Sequence, residues 1–327
     1  MISCDQVPYW CSGYHMILEK IYGRTYPNIL VLYGDSGMGD PQALASFITD
    51  QCNLYADTMP ISMIGPGNLD GYDVIIVEHA RVLTPQQMEA IWDFAARGGK
   101  VLIAGDVGVD AENNSQYLRV PKDTSWSEMA RVDTNETNSG TQLVIMNRWD
   151  RVDEFGNPLL FGTQFLGLKY VGDYCHGDKN CTVMGELIPL EDRLTKSLHI
   201  RMPFHHNFVV VKPLQTSLFG AQKIFATVSG VGPCCGESPP YPLAIRDGYR
   251  VVYYAFPPEI VLNDEVNGSH VTFKYELPFY FGVAYVWRRS SCRSGFRGRC
   301  AQRRCALRCG NDGSHARSGK AKILQIS

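Results

Sequence analysis

Asp35, Ser36, Glu78, His79 and Asp106 are the residues of this chain whose types and positions suit chemistry. Each follows an apolar run that reads as a strand. Asp35 and Ser36 come after Asn28–Tyr33, Glu78 and His79 after Asp73–Val77, and Asp106 after Lys100–Ala104. If those strands are parallel neighbours, their carboxyl ends bring the side chains to one crevice at the edge of the sheet. Carboxylates beside an imidazole and a hydroxyl can move protons on a substrate or hydrogen-bond the hydroxyls of a sugar. A plainer reading has Glu78 and His79 hydrogen-bonded to helix ends, Asp106 capping a turn, and Asp35–Ser36 in a capped turn before the next helix.

Two further constellations are weaker. Gly34, Gly37 and Gly39 precede a helix start, where backbone N–H groups can cradle a phosphate. Their spacing is neither Gly-x-Gly-x-x-Gly nor a Walker loop, and no Lys opens the helix, so no nucleotide cofactor is assigned. Cys175-His176, Cys181, Cys234-Cys235 and His205-His206 hold zinc-binding atoms, but without the Cys-x2-Cys spacing of structural sites. A local Cys175–Cys181 disulfide or free buried thiols fit better, and no metal is assigned.

The elements that must position these residues are legible. Asp73–Val77 is a continuous apolar run, as expected of a strand buried on both faces. Thr84-Pro85-Gln86-Gln87 opens a helix with a cap, a proline at its first position and a capping-box glutamine. Met88, Ile91, Trp92 and Ala95 give that helix one apolar face, Gly98-Gly99 ends it, and Lys100–Ala104 is a second buried strand. Upstream, Asn28–Tyr33 reads as a strand and Asp40-Pro41 starts a helix through Cys52. Pro60–Ile64 reads as a short strand. The order of elements predicts an α/β fold: a flavodoxin-like open, mostly parallel sheet with helices on both faces. A long polar insertion follows the fourth strand, and Gln142–Met146 is expected to return to the sheet. Asn207–Lys212 and Lys223–Thr227 read as strands. Pro242–Ile245 and Arg250–Ala255 form a late hairpin around an Asp247-Gly248 turn.

The expected organisation is an extension over 1–25, one domain over 26–286 with its insertion at about 110–200, and a basic tail over 287–327. Between Arg288 and Lys322 there are nine Arg and two Lys against one Asp, within a chain of net charge −2. A basic tail on an acidic body can bind nucleic acid or an anionic surface, but this one has almost no aliphatic residues and no periodicity and reads as disordered, so no nucleic-acid partner is assigned. No apolar run approaches the ~20 residues of a membrane span, and Met1–Lys20 lacks a signal-peptide pattern. Eleven cysteines and sequons at Asn113, Asn135, Asn180 and Asn267 lean toward a secretory compartment. The two signals oppose each other and leave the localisation open.

Tyr72–Val77, Leu83–Met88 and Gly98–Gly105 together resemble the class I glutamine amidotransferase-like superfamily. Within it they are most similar to the non-catalytic β-galactosidase trimerisation-like modules. Ala56–Ile61 looks like that module's second strand, Gly105–Asn113 like the segment after its elbow strand, and Ile224–Gly230 with Pro242–Ala255 like its closing strands. The resemblance covers Tyr26–Pro258 and is dense over 28–112 and 222–258. Active amidotransferases of this superfamily carry a cysteine in a Gly-x-Cys-x-Gly turn, where this chain has Ala104-Gly105-Asp106-Val107-Gly108. Glutaminase chemistry needs a thiolate, so the resemblance implies an inactive module that assembles with its own copies or with a glycoside hydrolase domain. A rival expectation is an esterase or glycosidase built on the five crevice residues. Gly34-Asp35-Ser36 resembles the nucleophile block of SGNH-type esterases, but the other blocks of that family overlap at Gly310–His315 and cannot occupy separate places. A binding module for a small ligand, without chemistry, is the third.

Overall fold

The computed structural model describes residues 27–50, 56–65, 67–111, 117–121, 130–131, 141–145, 147–175, 181–192, 201–215, 218–263, 265–266 and 269–270. The expectations for 1–25, for 287–327 and for Cys52 lie outside the described residues.

Chain order begins with β1 (Ile29–Ser36), α1 (Pro41–Asp50) and β2 (Ala56–Pro60). A single 3-10 turn, Ile61–Met63, leads toward β3 (Val74–Ala80), α2 (Pro85–Ala96) and β4 (Lys100–Ala104). The insertion holds β5 (Tyr117–Pro121), β6 (Ala130–Arg131), β7 (Thr141–Ile145), β8 (Arg151–Val152) and β9 (Pro158–Leu159). A turn of π-helix, Phe161–Leu166, and β10 (Leu168–Tyr174) follow. The chain then runs through β11 (Gly185–Pro189), β12 (Met202–Phe204), β13 (Phe208–Pro213), β14 (Gln222–Ser229), β15 (Tyr241–Asp247) and β16 (Val251–Tyr254).

The main sheet has nine strands in the order β2-β1-β3-β4-β16-β15-β14-β11-β12. From β2 to β16 every neighbour is parallel, which is the 2-1-3-4-5 order of flavodoxin-like folds. The remaining strands extend it antiparallel, so the α/β sheet is mixed. The crossovers β1–α1–β2 and β3–α2–β4 run in opposite directions along the sheet. Right-handed connections therefore put the two helices on opposite faces. Strands covered on both sides must be apolar throughout, and Leu30, Val31, Leu32, Ile75, Ile76, Val77 and Ile103 are all essentially inaccessible.

α2 starts as its sequence requires. Gln87 N–H donates to Thr84 Oγ1 at 3.2 Å, and Thr84 N–H donates to Gln87 Oε1 at 2.9 Å. The late hairpin is also present, with Ala244 opposite Tyr254 and Asp247 opposite Val251.

Two strand assignments differ. The second strand is Ala56–Pro60, and Ile61–Met63 turns as 3-10 helix, so the predicted strand at Pro60–Ile64 is displaced. Only the earlier segment keeps register with β1, Ile29 opposite Ala56 through Tyr33 opposite Pro60. The described part of the run expected over Gln142–Met146, which ends at Ile145, does not return to the main sheet, because β7 pairs with β5 and β6 in a separate sheet. The strand expected over Asn207–Lys212 is present as β13, which pairs with β10 outside the main sheet.

Candidate functional site

The carboxyl ends of β1, β3, β4 and β16 form the edge where an α/β sheet would bind a ligand. Each strand hands over to a short segment there, and hydrogen bonds stitch those segments to one another. The loop after β1 lies across the ends of β3 and β4: His79 N–H donates to Met38 O at 2.9 Å and Arg81 N–H to Ser36 O at 2.8 Å. Glycine is required in that loop. Gly37 has φ +131°, and a Cβ on it would meet Asp106 Oδ1 at 3.0 Å.

Asp106 is buried in the turn after β4, and both of its oxygens are engaged. Oδ1 accepts Met38 N–H at 2.7 Å, and Oδ2 accepts Arg81 Nη1 at 2.6 Å. Arg81 also donates through Nε to Asp110 at 2.7 Å and through Nη1 to Asp173 at 3.1 Å. Burial works against the guanidinium's charge, yet its hydrogen bonds to Asp110, Asp106 and Asp173 outweigh this and hold its pKa above the ordinary arginine value.

The insertion then seals this turn from outside. Trp149, fully buried, donates Nε1–H to Val107 O at 2.8 Å. Arg151, also fully buried, donates Nη2 to Gly108 O at 2.6 Å and to Asp110 O at 2.7 Å. The Arg148 guanidinium lies 5.6 Å from the centre of the Tyr170 ring and donates to Asp110 at 3.3 Å. Tyr253, in β16, donates its hydroxyl to Gly105 O at 3.1 Å, and its ring packs edge-on against Trp149 with centroids 5.4 Å apart.

Glu78 and His79 part company at the end of β3. Glu78 is fully buried and faces Glu259 in the 3-10 segment Pro258–Asn263, whose carboxyl is buried too. Burial first, and then the negative charge of Glu259, push the Glu78 carboxyl up to about 10. Burial also raises the pKa of Glu259, against the opposing hydrogen bond from Asp40 N–H at 2.9 Å. His79 stands half-exposed with φ +48°, and no group among the described residues is in hydrogen-bond contact with its buried Nδ1. Asp35 and Ser36 are exposed.

The structure thus brings Asp106 against Gly37, next to the end of β1 that carries Asp35 and Ser36, but it buries Asp106 and Glu78 beneath the loop after β1. Arg81, Trp149, Arg151 and Glu259 were not singled out from the sequence. The only signal for Glu259 was the Pro-Pro-Glu that closes the last strand, and the others carry no local motif. At the start of α1, where a phosphate would sit, the Gln42 and Ala43 N–H groups donate to Asp40 Oδ1 and the Asp40 N–H donates to the Glu259 carboxylate. Cys175 and Cys181 form a disulfide, and His205 Nδ1 lies 3.2 Å from Val183 O. Among the described residues no helix is long and apolar enough to cross a membrane.

Neither a protein-family model nor a curated protein sequence matches the chain. Solved structures similar to it share little sequence. A ThuA-like protein from Bacteroides uniformis is 11% identical with a TM-score of 0.49, over 80% of this chain and 93% of that one. The β-galactosidase from Bacillus circulans sp. alkalophilus is 11% identical with a TM-score of 0.46, over 81% of this chain and 31% of that one. The α-L-fucosidase isoenzyme 2 from Paenibacillus thiaminolyticus is 11% identical with a TM-score of 0.45, over 85% of this chain and 36% of that one. The chain spans about a third of the length of the β-galactosidases to which it is similar.

Proposed function

We propose that this chain is a catalytically inactive, amidotransferase-like α/β module that serves assembly or interaction beside carbohydrate-active proteins. The observation that carries the reading is the state of Asp106. It stands where an amidotransferase of the resembled superfamily would hold its cysteine, and both its oxygens are committed to Met38 and Arg81. A nucleophile or general base must reach a reacting atom. Asp106 is 3% exposed and lies under the Gly37 loop, with Trp149 and Arg151 closing the far side of its turn. The side chains at this edge hold segments of the chain together, which suits a scaffold. The carbohydrate context rests on the resemblance over residues 28–112 and 222–258.

Light scattering coupled to size-exclusion chromatography tests the assembly reading on the full chain. A defined dimer or trimer, or a stoichiometric complex with a glycoside hydrolase domain, is the expected result. A monomer that binds no such domain overturns it. Ester or glycoside hydrolysis that disappears in both Ser36→Ala and Asp106→Asn would instead favour a hydrolase built on Asp35, Ser36, Glu78, His79 and Asp106.

A further inference from the structure

Glu78 and Glu259 meet across the switch-point loop. A Cβ placed on Gly39 would lie 3.2 Å from Glu259 Oε1 and 3.3 Å from Glu78 Oε2, so both carboxyls pack against one glycine. Glu259 Oε1 accepts the Asp40 N–H that opens α1. Glu259 Oε2 and both oxygens of Glu78 are buried, and no N–H or hydroxyl of the described residues donates to them. Among the described residues, the surrounding elements supply no counter-charge. At the start of α1, Asp40 is a third carboxylate, turned to cap Gln42 and Ala43 N–H. From β1, Tyr33 stands opposite Glu78 in register, followed by exposed Asp35; from β3, the His79 ring makes no hydrogen bond to the pair. Among the described residues, neither Glu78, Glu259 nor Asp40 forms an ion pair with Lys or Arg.

We infer that Glu78 and Glu259 share one proton, and that this proton clasps the segment after β16 to the end of β3, beneath the loop after β1. Two adjacent carboxylates cannot both ionise in a dry site, whereas one proton lets neutral Glu78 donate its O–H to the Glu259 carboxylate and so gives one Glu78 oxygen a partner across the pair. The remaining negative charge then sits on the residue that faces the α1 N-terminus, where it is favoured. The direction of the Glu78 shift agrees with this division.

The clasp is pH-graded. Opening it puts Glu78 in water, where it ionises above its ordinary value of 4.5, while the closed pair keeps its proton up to about 10. Within that window each opening releases one proton, so the opening constant rises about tenfold per unit of pH. Closure is therefore firmest at low pH and is lost as pH rises toward the folded value.

Amide hydrogen exchange on the full chain reads this directly. The amides of Met38, Asp40 and Ile260 would be followed from pH 6 to 8, with intrinsic exchange divided out. The expected opening constant rises about tenfold per unit in the wild type and stays level in Glu78→Gln, whose amide keeps a donor toward Glu259 with no proton to lose. Carbon-13 spectra of the glutamate-labelled wild type at pH 7 should contain a protonated carboxyl, a result that depends on no variant. Absence of that signal overturns the proposal, as does an equal slope in Glu78→Gln. Opening that millimolar Mg2+ or Ca2+ suppresses also overturns it, because the orphaned oxygens would then hold a cation.

Discussion

Replacing Asp106 by Asn isolates the contact that closes the turn after β4. The amide oxygen can still accept Met38 N–H, but an NH2 group now faces Arg81 Nη1 across a gap of 2.6 Å. Removing one partner of a buried ion pair costs about 3–5 kcal/mol. Here the cation keeps Asp110 at 2.7 Å and Asp173 at 3.1 Å, and its side chain is 17% exposed, which lowers the cost. A loss of about 2–3 kcal/mol is the working figure, and Asp106→Ala should cost about 1 kcal/mol more through Met38. Urea unfolding at pH 7 measures it: with a slope of about 1–3 kcal/mol per molar, the midpoint falls by roughly 1 M. Arg81→Ala and the double variant complete a cycle whose coupling energy should exceed about 1 kcal/mol. A midpoint for Asp106→Asn that matches wild type would refute the claim that this contact holds the turn.

Three other substitutions probe separate parts of the argument. Glu78→Gln should gain stability over wild type by about 1.4 kcal/mol for each unit of pH between 5 and 8, read from urea midpoints at both ends. The sign follows from a folded pKa above the ordinary one, which makes the wild type lose stability as pH rises. Thr84→Ala removes the hydroxyl half of the capping box at α2, leaving the backbone N–H to donate to Gln87 Oε1, and should cost about 1 kcal/mol in thermal unfolding. Trp149→Phe leaves Val107 O without its donor in a buried turn, for a loss of about 1–3 kcal/mol; a neutral result would mean the insertion does not depend on that bond.

How far the sequence could be read depended on the range of the interaction. α2 was legible to its first residue, because Thr84, Pro85 and Gln87 carry the cap within one turn. The parallel strands were legible because burial on both faces demands unbroken apolar runs. Strand pairing in the insertion was not, since an apolar run such as Gln142–Met146 does not name its partner. The second strand was misplaced by its apolar pattern at Pro60–Ile64 and placed by the resemblance at Ala56–Ile61: Ala56-Asp57-Thr58 is too polar to signal itself, and its identity comes from register with Ile29–Tyr33. At the candidate site, the residues after each strand end were identifiable from topology, including Glu78 and Asp106. Their roles were not, because Arg81–Asp173 and Glu78–Glu259 each join residues far apart in the chain.

The position of β16 bears on how the molecule comes into being. This strand is made late, yet it is the wedge between β4 and β15, with Val251 opposite Val101 and Tyr254 opposite Ala104. Until it arrives, β4 presents a bare apolar edge, and the four strands β2, β1, β3 and β4 cannot join those that follow. Closing so long a loop is slow relative to local pairing, and a waiting edge of that kind invites pairing with another chain. Nascent chains of this protein should therefore need protection from one another until residue 254 has left the ribosome, after which the sheet can close in a single late step.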